Sequence, residues 1–201
     1  MKRIGLENLG AQPHFIGSWM TESANMCDQI VRFFEAHPTR QRPGDLAGGQ
    51  EREIKKTTDI LIHPADISKA GHEPFKEYIE LLYECYADYL KQWPFLETFT
   101  PRIDIGSFNI QRYQPGDHFQ RVHTERGSLS TLHRVFAWMT YLNDVEDGGS
   151  TYFSHYDLDV QPQRGMTLIW PAEWTHAHSG RILNSGVKYI ITGWMHFPAK
   201  R

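Results

Sequence analysis

The segment Arg134–Phe153, RVFAWMTYLNDVEDGGSTYF, sets the character of the chain. Its first nine residues form an almost unbroken apolar run. Such a run reads as a strand in the middle of a sheet, with both faces covered. The stretch VEDGG then breaks it with acidic and glycine turn chemistry. Thr151–Phe153 opens the next strand.

Working outward, the same texture holds from Pro101 to the C-terminus. Strands are expected near Ile103–Tyr113, Phe119–His123, Val135–Leu142, Thr151–Phe153, Asp159–Val160, Met166–Trp170 and Val187–Phe197. The stretches QPGD, VEDGG and PQRG separate them as turns. Many short strands with such turns suggest a sandwich or jelly roll. The preceding hundred residues read differently. Met26, Cys27, Ile30, Val31, Phe33 and Phe34 recur at helical spacing until Pro38. The Pro- and Gly-rich segment 38–52 reads as a surface loop, a lid or a linker. EIKKTTDILIHP looks like one strand ending at Pro64. A longer helix follows, with Pro74 in its first turn and an apolar stripe of Phe75, Tyr78, Ile79, Leu82, Cys85, Tyr86, Tyr89 and Leu90; Trp93-Pro94 ends it. The expected fold is mainly β with flanking helices. It forms a single domain over 1–201, with 1–100 as a helical and strand support region and 101–201 as the β core.

Composition narrows the function. The 201 residues are 40% hydrophobic and 22% charged, ordinary for a soluble globular protein. A formal net charge of -3 gives no reason to expect nucleic acid as a partner. No apolar run approaches a membrane span, and the N-terminus lacks a signal-peptide pattern. Cys27 and Cys85 fall among apolar helix residues, so buried free thiols and a cytoplasmic location are expected. Eleven histidines and six tryptophans are more telling, since both can line a site.

His123 and Glu125 lie two apart at the end of an expected strand, just after the Pro-Gly turn. In a strand, residues i and i+2 share a face. They would aim an imidazole and a carboxylate at one point. A third ligand must come from elsewhere, and His133, His155, His176, His178 and His196 are candidates. Two histidines and one carboxylate on one side of an ion leave open positions, as non-haem Fe(II) chemistry with dioxygen requires. Lys188 stands ten residues after His178 among apolar neighbours, where its charge needs a partner. As an edge-strand lysine it would instead only discourage aggregation.

Taken in order, these segments resemble the iron(II)- and 2-oxoglutarate-dependent dioxygenases, in their prolyl 4-hydroxylase-like branch. The residues carrying the resemblance are Tyr113, His123-Thr124-Glu125, Tyr141 through Phe153, Gly165 through Trp170, His178-Ser179-Gly180 and Lys188. The resemblance spans about half the chain and implies a double-stranded β-helix, or jelly-roll, core. It implies that His123, Glu125 and His178 hold the iron, with His176 as a rival to His178 that the family spacing disfavours. Lys188 would pair with the distal carboxylate of 2-oxoglutarate, and Tyr113 would hydrogen-bond it. Thr151 and Trp194 would sit near that pocket. Glu125 stands where the family usually has Asp; it keeps an anionic oxygen ligand on a longer arm.

The function implied is hydroxylation of an unactivated C–H bond with conversion of 2-oxoglutarate to succinate and CO2. Fe(II) is the metal, and ascorbate an optional addition. The resemblance points to a prolyl residue in a peptide or protein as substrate. The alternatives are a hydroxylase of a free amino acid or small metabolite, a non-catalytic jelly-roll metal- or ligand-binding protein, and a zinc hydrolase, which would lack an evident general base. Asn109, Gln111 and Arg112 could also stand near the site. Arg121, Arg126 and Arg134 flank the triad, though arginines at sheet rims are usually solvated. Trp138, Trp170 and Trp174 could line a pocket, but core packing is commoner for tryptophan.

Overall fold

The computed structural model describes residues 1–5, 13–21, 23–44 and 54–198. In chain order the first elements are β1 (Lys2–Arg3), β2 (Gly17–Met20), α1 (Ala24–Ala36), β3 (Arg42–Pro43), β4 (Lys55–Lys56) and β5 (Thr58–Ile62). Then come α2 (Glu73–Gln92), α3 (Phe95–Phe99), β6 (Asp104–Ile105), β7 (Phe108–Tyr113), β8 (His118–His123) and β9 (Arg134–Tyr141). β10 (Thr151–Phe153), β11 (Leu158–Val160), β12 (Met166–Pro171), β13 (His178–Gly180) and β14 (Lys188–His196) complete the chain.

Two antiparallel sheets face each other. The larger runs β1-β2-β12-β9-β14-β7-β5-β3, with β6 also pairing to β14; the smaller runs β11-β10-β13-β8-β4. This is the jelly-roll arrangement expected from the many short strands.

The apolar run of β9 now has a physical account. β9 lies between β12 and β14, and successive side chains alternate between two cores. Phe136 and Trp138 join the cluster that packs under the helices, whereas Ala137, Met139 and Tyr141 join the cluster between the sheets. Thr140, fully buried, is satisfied by Tyr78 Oη at 2.8 Å and Thr167 Oγ1 at 2.7 Å. A Cβ on Gly193 would lie 2.7 Å from the Trp138 ring and 2.8 Å from Phe108 Cβ. Glycine there lets both aromatics close over β14.

The helices form where their stripes dictate. Met26, Cys27, Ile30, Phe33 and Phe34 of α1 are buried, as are Phe75, Tyr78, Leu82, Cys85, Tyr86 and Tyr89 of α2. They cover the outer face of the large sheet through Phe136, Trp138, Ile169 and Ile191. Both cysteines are free and buried. Among the described residues no helix is long and apolar enough to cross a membrane.

Several details depart from expectation. EIKKTTDILIHP is not one strand. It breaks at Thr57, so that β4 pairs with β8 in the small sheet and β5 with β7 in the large one. β2 and the three-residue β13, neither expected from the sequence, complete the two sheets. Trp93-Pro94 ends α2 but α3 follows at once. Of the expected loop 38–52, Pro38–Arg40 is a 3-10 turn and Arg42–Pro43 is β3, while residues 45–52 lie outside the described residues.

Candidate metal and cosubstrate site

Between the sheets lies a cavity of about 290 Å3, lined at one end by His123, Glu125 and His178 and at the other by Lys188, Tyr113 and Thr151. The two histidines, 55 positions apart, become neighbours because β8 and β13 pair with His178 opposite His123. Their ring centroids are 4.4 Å apart. β8 ends at His123, so Glu125 reaches the site from the following turn and not from a shared strand face.

Hydrogen bonds set each donor. Nδ1 of His123 lies 2.9 Å from the Arg121 carbonyl, and Nδ1 of His178 lies 2.9 Å from the His176 carbonyl. A carbonyl only accepts, so each Nδ1 carries the proton and each Nε2 turns a lone pair into the cavity. Glu125 Oε1 stands 3.3 Å from His178 Nε2 and 3.7 Å from His123 Nε2. Within each residue one ligand atom falls inside a common span of 4.8 Å. Metal–ligand bonds of roughly 2.1 Å put neighbouring donors about 3 Å apart, so the trio fits a divalent ion. Burial pushes the Glu125 carboxyl upward, but with no ion between them His123 and His178 in their protonated forms donate to it and add positive charge, which outweighs burial and holds the group well below the usual range, as an anion; a bound ion would take the place of those protons.

The second Glu125 oxygen is fixed from the large sheet. Trp194 Nε1 donates to Oε2 at 2.7 Å, and Arg134 Nη1 donates to the Glu125 backbone carbonyl at 2.9 Å. The Arg134 guanidinium lies 3.6 Å from the Trp194 ring centroid. These contacts hold the longer glutamate arm. Trp194, expected beside the cosubstrate pocket, touches the carboxylate ligand itself.

The far end carries a buried cation. Lys188 is 2% exposed and sits on central β14, opposite Tyr113 of β7. Its Nζ donates to the Gly149 carbonyl at 2.8 Å and lies 4.0 Å from the Tyr113 ring centroid. Among the described residues it has no carboxylate within salt-bridge reach. Burial pushes its pKa down to about 7. Such a charge calls for an anion, and the distal carboxylate of 2-oxoglutarate has the complementary chemistry. Thr151 lines the same end and accepts a hydrogen bond from Tyr141 Oη at 2.6 Å.

The other candidates separate cleanly. His176 is buried with Nε2 2.8 Å from the His14 carbonyl, and burial pushes its pKa down to about 4. His133 and His196 pack on each other, and His155 packs on Trp174. Asn109 and Gln111 line the cavity, but Arg112 turns away to Glu35 at 3.0 Å. Arg126 pairs with Glu173, while Arg121 is exposed. Trp170 lines the cavity edge-on to His178, Trp138 belongs to the helix-side core and Trp174 is exposed. Lys55 also lines the cavity; nothing in its KK context distinguished it.

Comparisons agree with this geometry. Residues 108–196 match the model of the 2OG-Fe(II) oxygenase superfamily. The chain is 28% identical over 226 residues to the probable prolyl 4-hydroxylase 9 of Arabidopsis thaliana, covering 95% of this chain and 74% of that one. It also matches the human prolyl 4-hydroxylase subunit alpha-1 at 26% identity over 47% of this chain, but spans only 20% of that subunit's length. In fold it resembles a Pseudomonas putida prolyl-4-hydroxylase, with a TM-score of 0.70, 16% identity and coverage of 92% of this chain and 94% of that one. A Trichoplax adhaerens prolyl hydroxylase, solved in complex with a hypoxia inducible factor peptide fragment, gives a TM-score of 0.70 at 14% identity, covering 92% of this chain and 84% of that one. Residues 108–196 thus match the 2OG-Fe(II) oxygenase superfamily, and the chain as a whole is similar in sequence to a prolyl 4-hydroxylase and in fold to solved prolyl hydroxylases.

Proposed function

We propose that this chain hydroxylates a prolyl residue within a peptide or protein. In the overall reaction 2-oxoglutarate, O2 and the C–H bond become succinate, CO2 and a C–OH group. The observation that carries the reading is the joint placement in one cavity of the His123–Glu125–His178 trio and the Lys188 ammonium, which has no carboxylate partner among the described residues. A plain metal-binding module has no use for that cation.

His123, Glu125 and His178 hold the iron, which when bound supplies the oxidation coupling decarboxylation to hydroxylation. Lys188 and Tyr113 receive the distal carboxylate, where scarce water strengthens a charge-assisted pair. Nδ1 contacts to backbone carbonyls keep both imidazoles in the ligating tautomer, and Trp194 keeps Glu125 from turning away. The apolar walls, Met139, Trp170 and Ile190 among them, keep water out of the reaction. A peptide substrate is favoured by the kinship with prolyl 4-hydroxylases and by the peptide held in the Trichoplax neighbour.

The test is succinate formation by the Fe(II)-loaded protein with candidate substrates. Proline-containing peptides should stimulate it and gain the mass of one oxygen. Stimulation by a free amino acid alone would move the assignment to small metabolites.

A further inference from the structure

We propose that Gln111, locked in one amide orientation by a buried Lys55–Asp59 pair, withholds the Tyr113 hydroxyl proton from the cosubstrate and so sets the affinity for 2-oxoglutarate. The inference rests on the reading that Lys188 and Tyr113 receive the distal carboxylate.

Lys55 and Asp59 come from the segment that crosses between sheets at Thr57, and they are 6% and 9% exposed. Lys55 Nζ lies 2.8 Å from Asp59 Oδ2, Thr57 Oγ1 donates to Oδ1 at 2.7 Å, and Gln111 Nε2 donates to Oδ2 at 3.0 Å. Gln111 in turn accepts from Tyr113 Oη at 2.8 Å through its Oε1. A buried ion pair is weak evidence for stability, since desolvation offsets much of the attraction. What this pair does is orient an amide.

The orientation follows from donor and acceptor inventory. A carboxylate paired with an ammonium offers only acceptors. Gln111 must therefore turn its NH2 to Asp59 and its carbonyl to Tyr113. Tyrosine has one hydroxyl proton, and here Gln111 takes it. The Lys188 ammonium lies 4.0 Å from the Tyr113 ring centroid, so on that reading a carboxylate arriving at Lys188 comes within reach of the Tyr113 hydroxyl and competes for the same proton. Two acceptors compete for one donor. Removing the resident acceptor releases the proton to the incoming one.

The test is anaerobic titration of the Fe(II)-loaded protein with 2-oxoglutarate, followed by the visible absorption of the chelate. Gln111→Leu should tighten binding by roughly two- to tenfold, what one net neutral hydrogen bond supplies. Tyr113→Phe should cost less than about twofold alone yet cancel the gain when combined with Gln111→Leu, a non-additivity of neighbouring residues. Asp59→Asn should also tighten binding, because an amide there lets Gln111 turn its NH2 to Tyr113; it decides the matter if Gln111→Leu does not fold. Unchanged or weaker binding in these variants, or an equal Tyr113→Phe cost in both backgrounds, overturns the proposal. Lys188→Met separates the two readings. If it leaves 2-oxoglutarate binding intact, the site assignment itself falls. If it abolishes binding while Gln111→Leu gains nothing, only the proton competition falls.

Discussion

At one end of the cavity, 20% of the His123 side chain and 15% of that of Glu125 remain exposed; at the other, Lys188 is 2% exposed and has no carboxylate partner among the described residues. The proposed metal end is assembled from the small sheet's short strands and a turn, and directional hydrogen bonds keep it in shape. The proposed cosubstrate end takes Lys188 and Tyr113 from central strands of the large sheet and Thr151 from the small one, and packing buries all three. A metal site must stay open to ligands, so geometry has to come from outer partners. An anion site gains strength from exclusion of water, so burial itself makes it selective.

The sharpest break in this contrast is removal of a ligand. His178→Ala should reduce Fe(II) affinity by more than the roughly 10- to 100-fold that outer partners are worth, as measured by anaerobic Fe(II) titration. Fe(II) affinity retained in that variant would unseat the trio.

Lys188→Met acts on the opposite end. It should leave Fe(II) affinity intact and weaken 2-oxoglutarate binding by about 2–5 kcal/mol, the cost of truncating a buried charged pair. The sign of its pH dependence follows from burial, which lowers Lys188 from its ordinary 10.5 to about 7. The unfolded chain holds the proton up to a higher pH than the folded one. The folded protein therefore bears the full cost of the buried charge below about pH 7, and that cost is relieved as pH rises towards 10.5. Without cosubstrate, Lys188→Met should raise the melting temperature, most of all below pH 7. Binding of 2-oxoglutarate needs the charged form, so the natural protein's affinity should fall as pH climbs above about 7, and the variant's should not.

The smallest effect tests the link between the ends. Trp194→Phe keeps the ring beneath Arg134 and deletes the Nε1 bond to Glu125 Oε2. Fe(II) affinity should drop by about 10-fold, at the low end of outer-partner effects, with 2-oxoglutarate affinity at saturating metal unchanged.

Much of this was legible in the sequence where local pattern and burial agree. RVFAWMTYL announced a central strand, and its two-faced packing explains why no polar alternation marks it. The stripes of α1 and α2 were readable for the same reason. What escaped were features decided by distant partners. His178–Gly180 is too short and too glycine-rich to look like a strand until β8 and β10 flank it. The switch of sheets at Thr57 leaves no local mark, because KKTTDI is equally suited to one strand. His123 and Glu125 converge as expected, but by a turn. Lys55 and Gln111 gain meaning only once β4 and β7 bring them around Asp59.

The cross-strand placement of the two imidazoles has one more consequence. β8 and β13 share just two register positions, broken by an irregularity between His178 and Gly180. An ion gripped by both rings would therefore act as a clasp across this irregular seam of the small sheet. Loading the protein would tie the two strands together where their ladder is interrupted, and shedding the ion would return that stretch to the strength of its own hydrogen bonds.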